Sequence, residues 1–79
     1  MNDLLTLADL KPGQQAVVSG FKDSGTLAQR LMQLGIIEGG EIEMLRSAPG
    51  GDPVEYRVMG YSLSLRRAEA KEVLITSNA

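Results

Sequence analysis

Five arginines, at positions 30, 46, 57, 66 and 67, and a set of carboxylates at Glu38, Glu41, Glu43, Asp52 and Glu55 are the side chains of this 79-residue chain with the most chemistry to offer. Grouped carboxylates could hold a hard cation, but these lack the alternating oxygen-ligand pattern of a calcium loop. Glu41 and Glu43, on one strand face, read instead as solvated surface. Histidine and cysteine are both absent. That removes the commonest general base, the commonest transition-metal ligand, the thiol nucleophile, every zinc-site spacing and any disulfide. A transition-metal site is disfavoured for the same reason, since imidazole and thiolate ligands are missing. Arg46, Arg57, Arg66 and Arg67 could converge on phosphate, as an arginine finger does on a transferred phosphoryl group. No Walker A glycine-lysine loop accompanies them, so the chain does not itself hydrolyse nucleotide, and charge that discourages sheet-edge aggregation is their plainer role. The chain is expected to bind rather than catalyse, with no cofactor and no metal site.

The residues suited to binding lie on different elements. Thr26 can cap a helix, with Gln29 returning the bond as a capping box, and Leu27, Leu31 and Leu34 follow at helical spacing on one face. Gly35 takes the left-handed position after the last turn. Arg30 lies beside that leucine stripe, where its head could reach a partner's carboxylate or phosphate while its stem covers apolar surface. Phe21, alone among polar residues of the preceding loop, could form an apolar clamp with Leu27. Leu45 and Met59 are out of phase with the apolar faces of their strands, which puts them outside, and an outward methionine suits an adaptable contact. A bulge near Gly60 would turn Met59 inward instead.

Those elements sit in a strand framework. Thr6 opens a single helical turn, Pro12-Gly13 make a turn, and Gln14–Ser19 form a strand that Gly20 ends. From Gly40 the period changes from helical to two: Ile42 and Met44 alternate with glutamates, Val54, Tyr56 and Val58 with Glu55 and Arg57, and Tyr61, Leu63 and Leu65 with serines. Ser47–Pro53 is the hairpin tip between the first two of these strands, and Gly60 marks the next reversal. Arg66–Lys71 makes one helical or 3₁₀ turn, Val73–Thr76 closes the sheet, and Ser77-Asn78-Ala79 is a loose polar tail. Five short strands with one inserted α-helix predict a small, strongly bent antiparallel barrel. Its single domain spans residues 1–79, with a core over about 4–76.

A chain this short buries about 60% of its unfolded surface, so it gains stability from a partner or from self-association. A net charge of −2 is not that of a nucleic-acid binder, which presents a concentrated basic face. The amino end has no basic leader region, and no apolar run approaches the roughly 20 residues of a membrane span. A cytoplasmic chain is expected, reaching a membrane only through a partner.

Taken in order, Leu7-Ala8-Asp9-Leu10-Lys11-Pro12-Gly13, Gln29-Arg30-Leu31-Met32-Gln33-Leu34-Gly35, Glu38-Gly39-Gly40-Glu41-Ile42, Ala48-Pro49-Gly50-Gly51-Asp52-Pro53 and Leu63-Ser64-Leu65-Arg66-Arg67-Ala68-Glu69-Ala70 resemble the ferrous iron transport protein A (FeoA) family from about Leu4 to Thr76. The resemblance implies an SH3-like barrel and a cytoplasmic accessory of bacterial ferrous iron uptake. Its implied partner is FeoB, a membrane protein with a cytosolic GTPase part, and Phe21, Leu27, Arg30, Leu45 and Met59 are the residues offered to it. Peptide gripping of the ordinary SH3 kind needs an aromatic-lined groove, and Phe21, Tyr56 and Tyr61 are too few. Two other roles fit the same resemblance. A related module ends iron-dependent repressors, so a regulatory domain acting on transcription is one; stimulation of GTP hydrolysis in trans is the other.

Overall fold

Alternation builds the sheet. In the computed structural model, which describes residues 5–77, every apolar residue placed inward by a period of two over Ile42–Met44 and Val54–Val58 is buried. The strands are β1 (Leu5–Thr6), β2 (Gln15–Phe21), β3 (Glu41–Ser47), β4 (Val54–Val58), β5 (Tyr61–Leu65) and β6 (Val73–Ser77). They form one antiparallel sheet in the order β1-β6-β2-β3-β4-β5. Helix α1 (Thr26–Gln33) is inserted between β2 and β3, α2 (Arg67–Ala70) between β5 and β6, and 3₁₀ turns cover Leu7–Asp9 and Pro49–Gly51. Met1–Leu4 and Asn78–Ala79, which carry the expected amino end and most of the expected polar tail, lie outside the described residues.

Six strands stand where five are expected. The extra one, β1, is too short to carry a periodic signal and exists through pairing with β6, Leu5 opposite Ile75 and Thr6 opposite Leu74. Gly20 does not end β2 but lies within it at a register shift against β6, between Val18 and Gly20. A second shift, between Met44 and Arg46 against β4, skips Leu45, which is half-buried rather than outside. Such irregularities bend a strand and sharpen its twist, which a short sheet needs in order to wrap one core.

Helix α1 starts one residue earlier than its sequence suggests. The Gln29 amide donates to the Gly25 carbonyl at 3.2 Å, so Gly25 is the N-cap, Thr26 is already helical, and no side chain caps the end. The other end matches the glycine signal. Gly35 (φ +106) donates to Met32 O and Ile36 donates to Leu31 O, both at 3.0 Å, the paired bonds of a Schellman turn. The turn drops Ile36 onto Leu31, and both are fully buried. Leu34, expected on the buried face, is 40% exposed because the chain leaves the helix there and Ile36 takes the inward place.

The core joins Leu7, Ala16, Val18, Leu31, Ile36, Tyr56 and their neighbours from every layer. Its one buried hydroxyl of large size, on Tyr56, donates to the Leu7 carbonyl at 3.1 Å. Burial pushes the Tyr56 phenol up from its ordinary 10.0 to about 12, against the opposing pull of the Arg67 charge. Arg67 itself holds the β3–β4 tip against α2. Its Nε and Nη2 donate to Gly51 O at 3.1 and 3.0 Å, and its amide donates to Asp52 Oδ1 at 2.8 Å.

Two measurements follow from these contacts. A Cβ on Gly35 would lie 3.2 Å from both Met59 Sδ and the Tyr61 hydroxyl, on left-handed backbone. Gly35→Ala should therefore lower stability by about 1–2 kcal/mol, seen as an earlier urea midpoint with unchanged slope. Tyr56→Phe strands the Leu7 carbonyl and should cost about 1–3 kcal/mol at neutral pH. Above pH 10 the unfolded chain releases a phenol proton that the folded chain keeps until about pH 12. The Tyr56 contribution is thus whole below pH 10 and is lost as pH rises toward 12; the phenylalanine variant should lack that part of the alkaline fall.

Candidate functional site

Phe21 ends β2 and Leu27 sits in the first turn of α1, so the polar loop between them folds the two side chains toward each other. Both are half-buried, packed on the edge of the core, and both line one shallow cavity with Asp23, Gly25, Thr26 and Glu72. Arg30 follows Leu27 by three residues, the spacing that puts two side chains on one helix flank. Its side chain is 58% exposed and its Nη2 donates to Glu69 Oε2 of α2. Glu69 spends its other oxygen on the Arg66 amide, at 2.9 Å, which fixes the carboxylate that Arg30 meets. Two half-covered apolar groups thus lie at the amino end of α1, with an exposed, oriented guanidinium one helical turn on.

Met59 belongs to a second surface, at the carboxyl end of the same helix. It occupies the β4–β5 turn with φ +50, is 71% exposed, and lies against Gly35 beside the Tyr61 hydroxyl. A groove there is lined by Ile37, Glu41, Glu43, Arg57 and Met59. Leu45 joins neither surface. The five residues offered to a partner are thus spread, with Phe21 and Leu27 at one cavity, Arg30 one helical turn on, and Met59 at the other end of the helix.

Met32, Leu34, Ile37 and Tyr61, each 40–45% exposed, were not among the residues singled out from sequence. Ile37 follows the fully buried Ile36 into the turn that the Gly40 amide closes on its carbonyl, and its side chain is left half outside. Tyr61 carried no signal, since its phase on β5 is inward and only its position at the open end of the strand uncovers it.

The arginines do not converge. Arg46 pairs with Glu55 at 3.1 Å, Arg57 lies 4.0 Å from Glu43, and Arg67 is taken up by carbonyls. Among the described residues no group of three or more carboxylates is gathered to hold a metal ion, and no helix is long and apolar enough to cross a membrane. The Tyr56 hydroxyl, buried and bonded, is no surface acid.

Residues 5–77 match the family model described as the FeoA domain. A Porphyromonas gingivalis (strain ATCC BAA-308 / W83) protein, described as a fusion of Fe(2+) transport protein A with the Fe(2+) transporter FeoB, is 38% identical over 78 residues. The match takes in 95% of this chain and 9% of that much longer relative. The solved FeoA-like protein of Clostridium acetobutylicum superposes with a TM-score of 0.89 at 34% identity, over 100% of this chain and 92% of the other. Stenotrophomonas maltophilia FeoA, solved with zinc and described as a procaryotic SH3 domain protein, gives 0.81 at 34% identity over 91% and 89%. The bent antiparallel sheet described above is accordingly the SH3-like fold.

Proposed function

This chain belongs to the FeoA family, and from that premise we propose that it is a non-catalytic accessory of ferrous iron uptake that docks on a FeoB-type transporter and biases its nucleotide cycle or gating. It works from the cytoplasmic side and reaches the membrane through that partner. The observation that carries this reading is the fused relative, in which a domain 38% identical to this one is covalently joined to the transporter. A tether raises the effective concentration of one partner near the other, an arrangement of use only to parts that meet.

The surface offered is the Phe21, Leu27 and Arg30 patch. Two apolar side chains half-covered at the edge of the core, with an exposed arginine one helical turn on, have the make-up of an interface anchor, where desolvated apolar contact supplies affinity and the guanidinium supplies direction. The Arg30–Glu69 pair costs little to break, since exposed ion pairs contribute roughly 0–1 kcal/mol, so Arg30 is free to exchange Glu69 for a partner's carboxylate.

Purified transporter in detergent or nanodiscs, titrated with the labelled chain, tests this. Arg30→Glu should weaken binding at least about tenfold, the 1.4 kcal/mol of one good charged contact, while shifting stability by no more than about 1 kcal/mol. Equal affinity of the variant and the parent would remove this patch from the interface. No binding by the parent, with or without nucleotide, would overturn the docking reading.

A further inference from the structure

Strand β5 lies at one end of the sheet and pairs with β4 alone among the described residues. Its turn to β4 contains two residues, Met59 (φ +50) and Gly60 (φ +84). In such a turn the flanking residues Val58 and Tyr61 exchange backbone hydrogen bonds, and ladder alternation makes Tyr56 with Leu63 and Val54 with Leu65 the next bonded pairs. The other side of the sheet agrees. Met44 bonds toward β2, its amide to Gln14 O and its carbonyl to the Gly13 amide, which leaves Glu43 to bond Arg57 and turns Arg57 away from β5. The backbone groups of Ser62 and Ser64 therefore point off the open edge, and no backbone group of another described element meets them.

Edges of this kind are ordinarily guarded by charge, proline or a bulge. Tyr61-Ser62-Leu63-Ser64-Leu65 has no charge and no proline, and its pairing with β4 is regular throughout. We propose that β5 pairs antiparallel with β5 of a second copy of this chain about a two-fold axis, Ser62 opposite Ser64 of the second copy.

Charge selects the occupant and the register. Ser62 lies opposite Arg57 and Ser64 opposite Glu55, so this register aligns Arg57, Ser62, Ser64 of the second copy and Glu55 of the second copy in one row on one face. Glu43 continues the row behind Arg57, and Arg46 behind Glu55 of the second copy, so the signs alternate along it. About 14 Å, three strand spacings, separates the arginine and glutamate backbones across the junction, and each keeps its own β3 partner, Glu43 or Arg46, behind it in the row. Sliding to Ser62 on Ser62 would align Arg57 with Arg57, and Ser64 on Ser64 would align Glu55 with Glu55, both repulsive. On the opposite face the same register sets Tyr61 beside Leu65 of the second copy and Leu63 beside Leu63, so the apolar layer formed by Val54, Tyr56 and Val58 continues from one copy into the next. Tyr61, 45% exposed, and Leu63, half-buried, gain cover. One short edge buries less than a standard interface, so the dimer is weak and concentration-dependent.

The chain has no cysteine, which makes single-site cross-linking clean. Leu63 opposite Leu63 is a pair without hydrogen bonds, about 4.5 Å between Cα atoms, within the range a disulfide spans. Full-length Leu63→Cys in a glutathione redox buffer should form a covalent dimer several-fold faster than Lys22→Cys, an exposed control on the β2–α1 loop. Adding Arg57→Glu should slow that cross-link several-fold, and adding Glu55→Arg as well should restore it, with melting curves taken to establish that each variant is folded. Sedimentation equilibrium of the unaltered chain should show the average mass rising toward two copies with concentration. A monomer at every concentration, cross-linking no faster than the control, or indifference to the Arg57 and Glu55 reversals would overturn the proposal. So would slowed amide exchange of β5 seen only when the transporter is added, since the edge would then serve another chain.

Discussion

The way α1 stops governs where both exposed surfaces lie. At Gly35 the left-handed backbone lets Ile36 fall back on Leu31, and the two side chains together press the helix onto the sheet. The chain then re-enters the ladder almost at once, the Gly39 amide bonding Val18 O at 2.8 Å and the Val18 amide bonding Gly40 O at 2.9 Å. A helix of only eight residues has little stability of its own, so its position is set by those two anchors rather than by propensity. The absence of a side chain at Gly35 also admits Met59 and Tyr61 against the helix end. The same residue thus locks the helix, aims its flank at solvent and supports the β4–β5 turn.

The polar side chains divide by task. Arg67 and Tyr56 spend their donors on backbone carbonyls and hold the tip of β3–β4 and the first 3₁₀ turn to the body of the domain. Arg46 and Arg57 lie on the outer face of the sheet, each near a glutamate of the neighbouring strand. Arg30 differs in reaching from one helix to the other, where the carboxylate of Glu69, itself held by the Arg66 amide, sets its geometry. This distribution suits recognition: donors oriented but not gathered on one reacting atom, and apolar surface left half-covered at the edge of the core.

Much of this architecture can be read from residue order because it depends on local rules. Alternation marked the buried members of β3 and β4, Gly35 marked the helix end, and Arg66–Lys71 contained the turn that became α2. What could not be read depends on distant partners. Two-residue β1 has no pattern apart from β6, and the bulges that half-bury Leu45 and keep Gly20 inside β2 are set by what lies across the sheet. Thr26 looked like a cap because hydroxyl caps are common, yet the first helical bond comes from Gly25, one residue earlier. Of the residues offered to a partner, Phe21 and Leu27 line one cavity and Arg30 lies one helical turn on, whereas Met59 sits at the far end of the helix and Leu45 joins neither surface. The Arg30–Glu69 pair, 39 residues apart, had no signature in the chain.

If the Phe21–Arg30 region is the face presented to a FeoB-type transporter, its backbone amides are covered in the complex. Hydrogen exchange read by mass spectrometry, on this chain alone and with purified FeoB-type transporter, addresses it most directly, because it maps contact without altering a residue. Docking through this face slows exchange over residues 22–30 when the transporter is added. Exchange unchanged across that segment while another region is protected, or unchanged everywhere at concentrations that saturate binding, would contradict it.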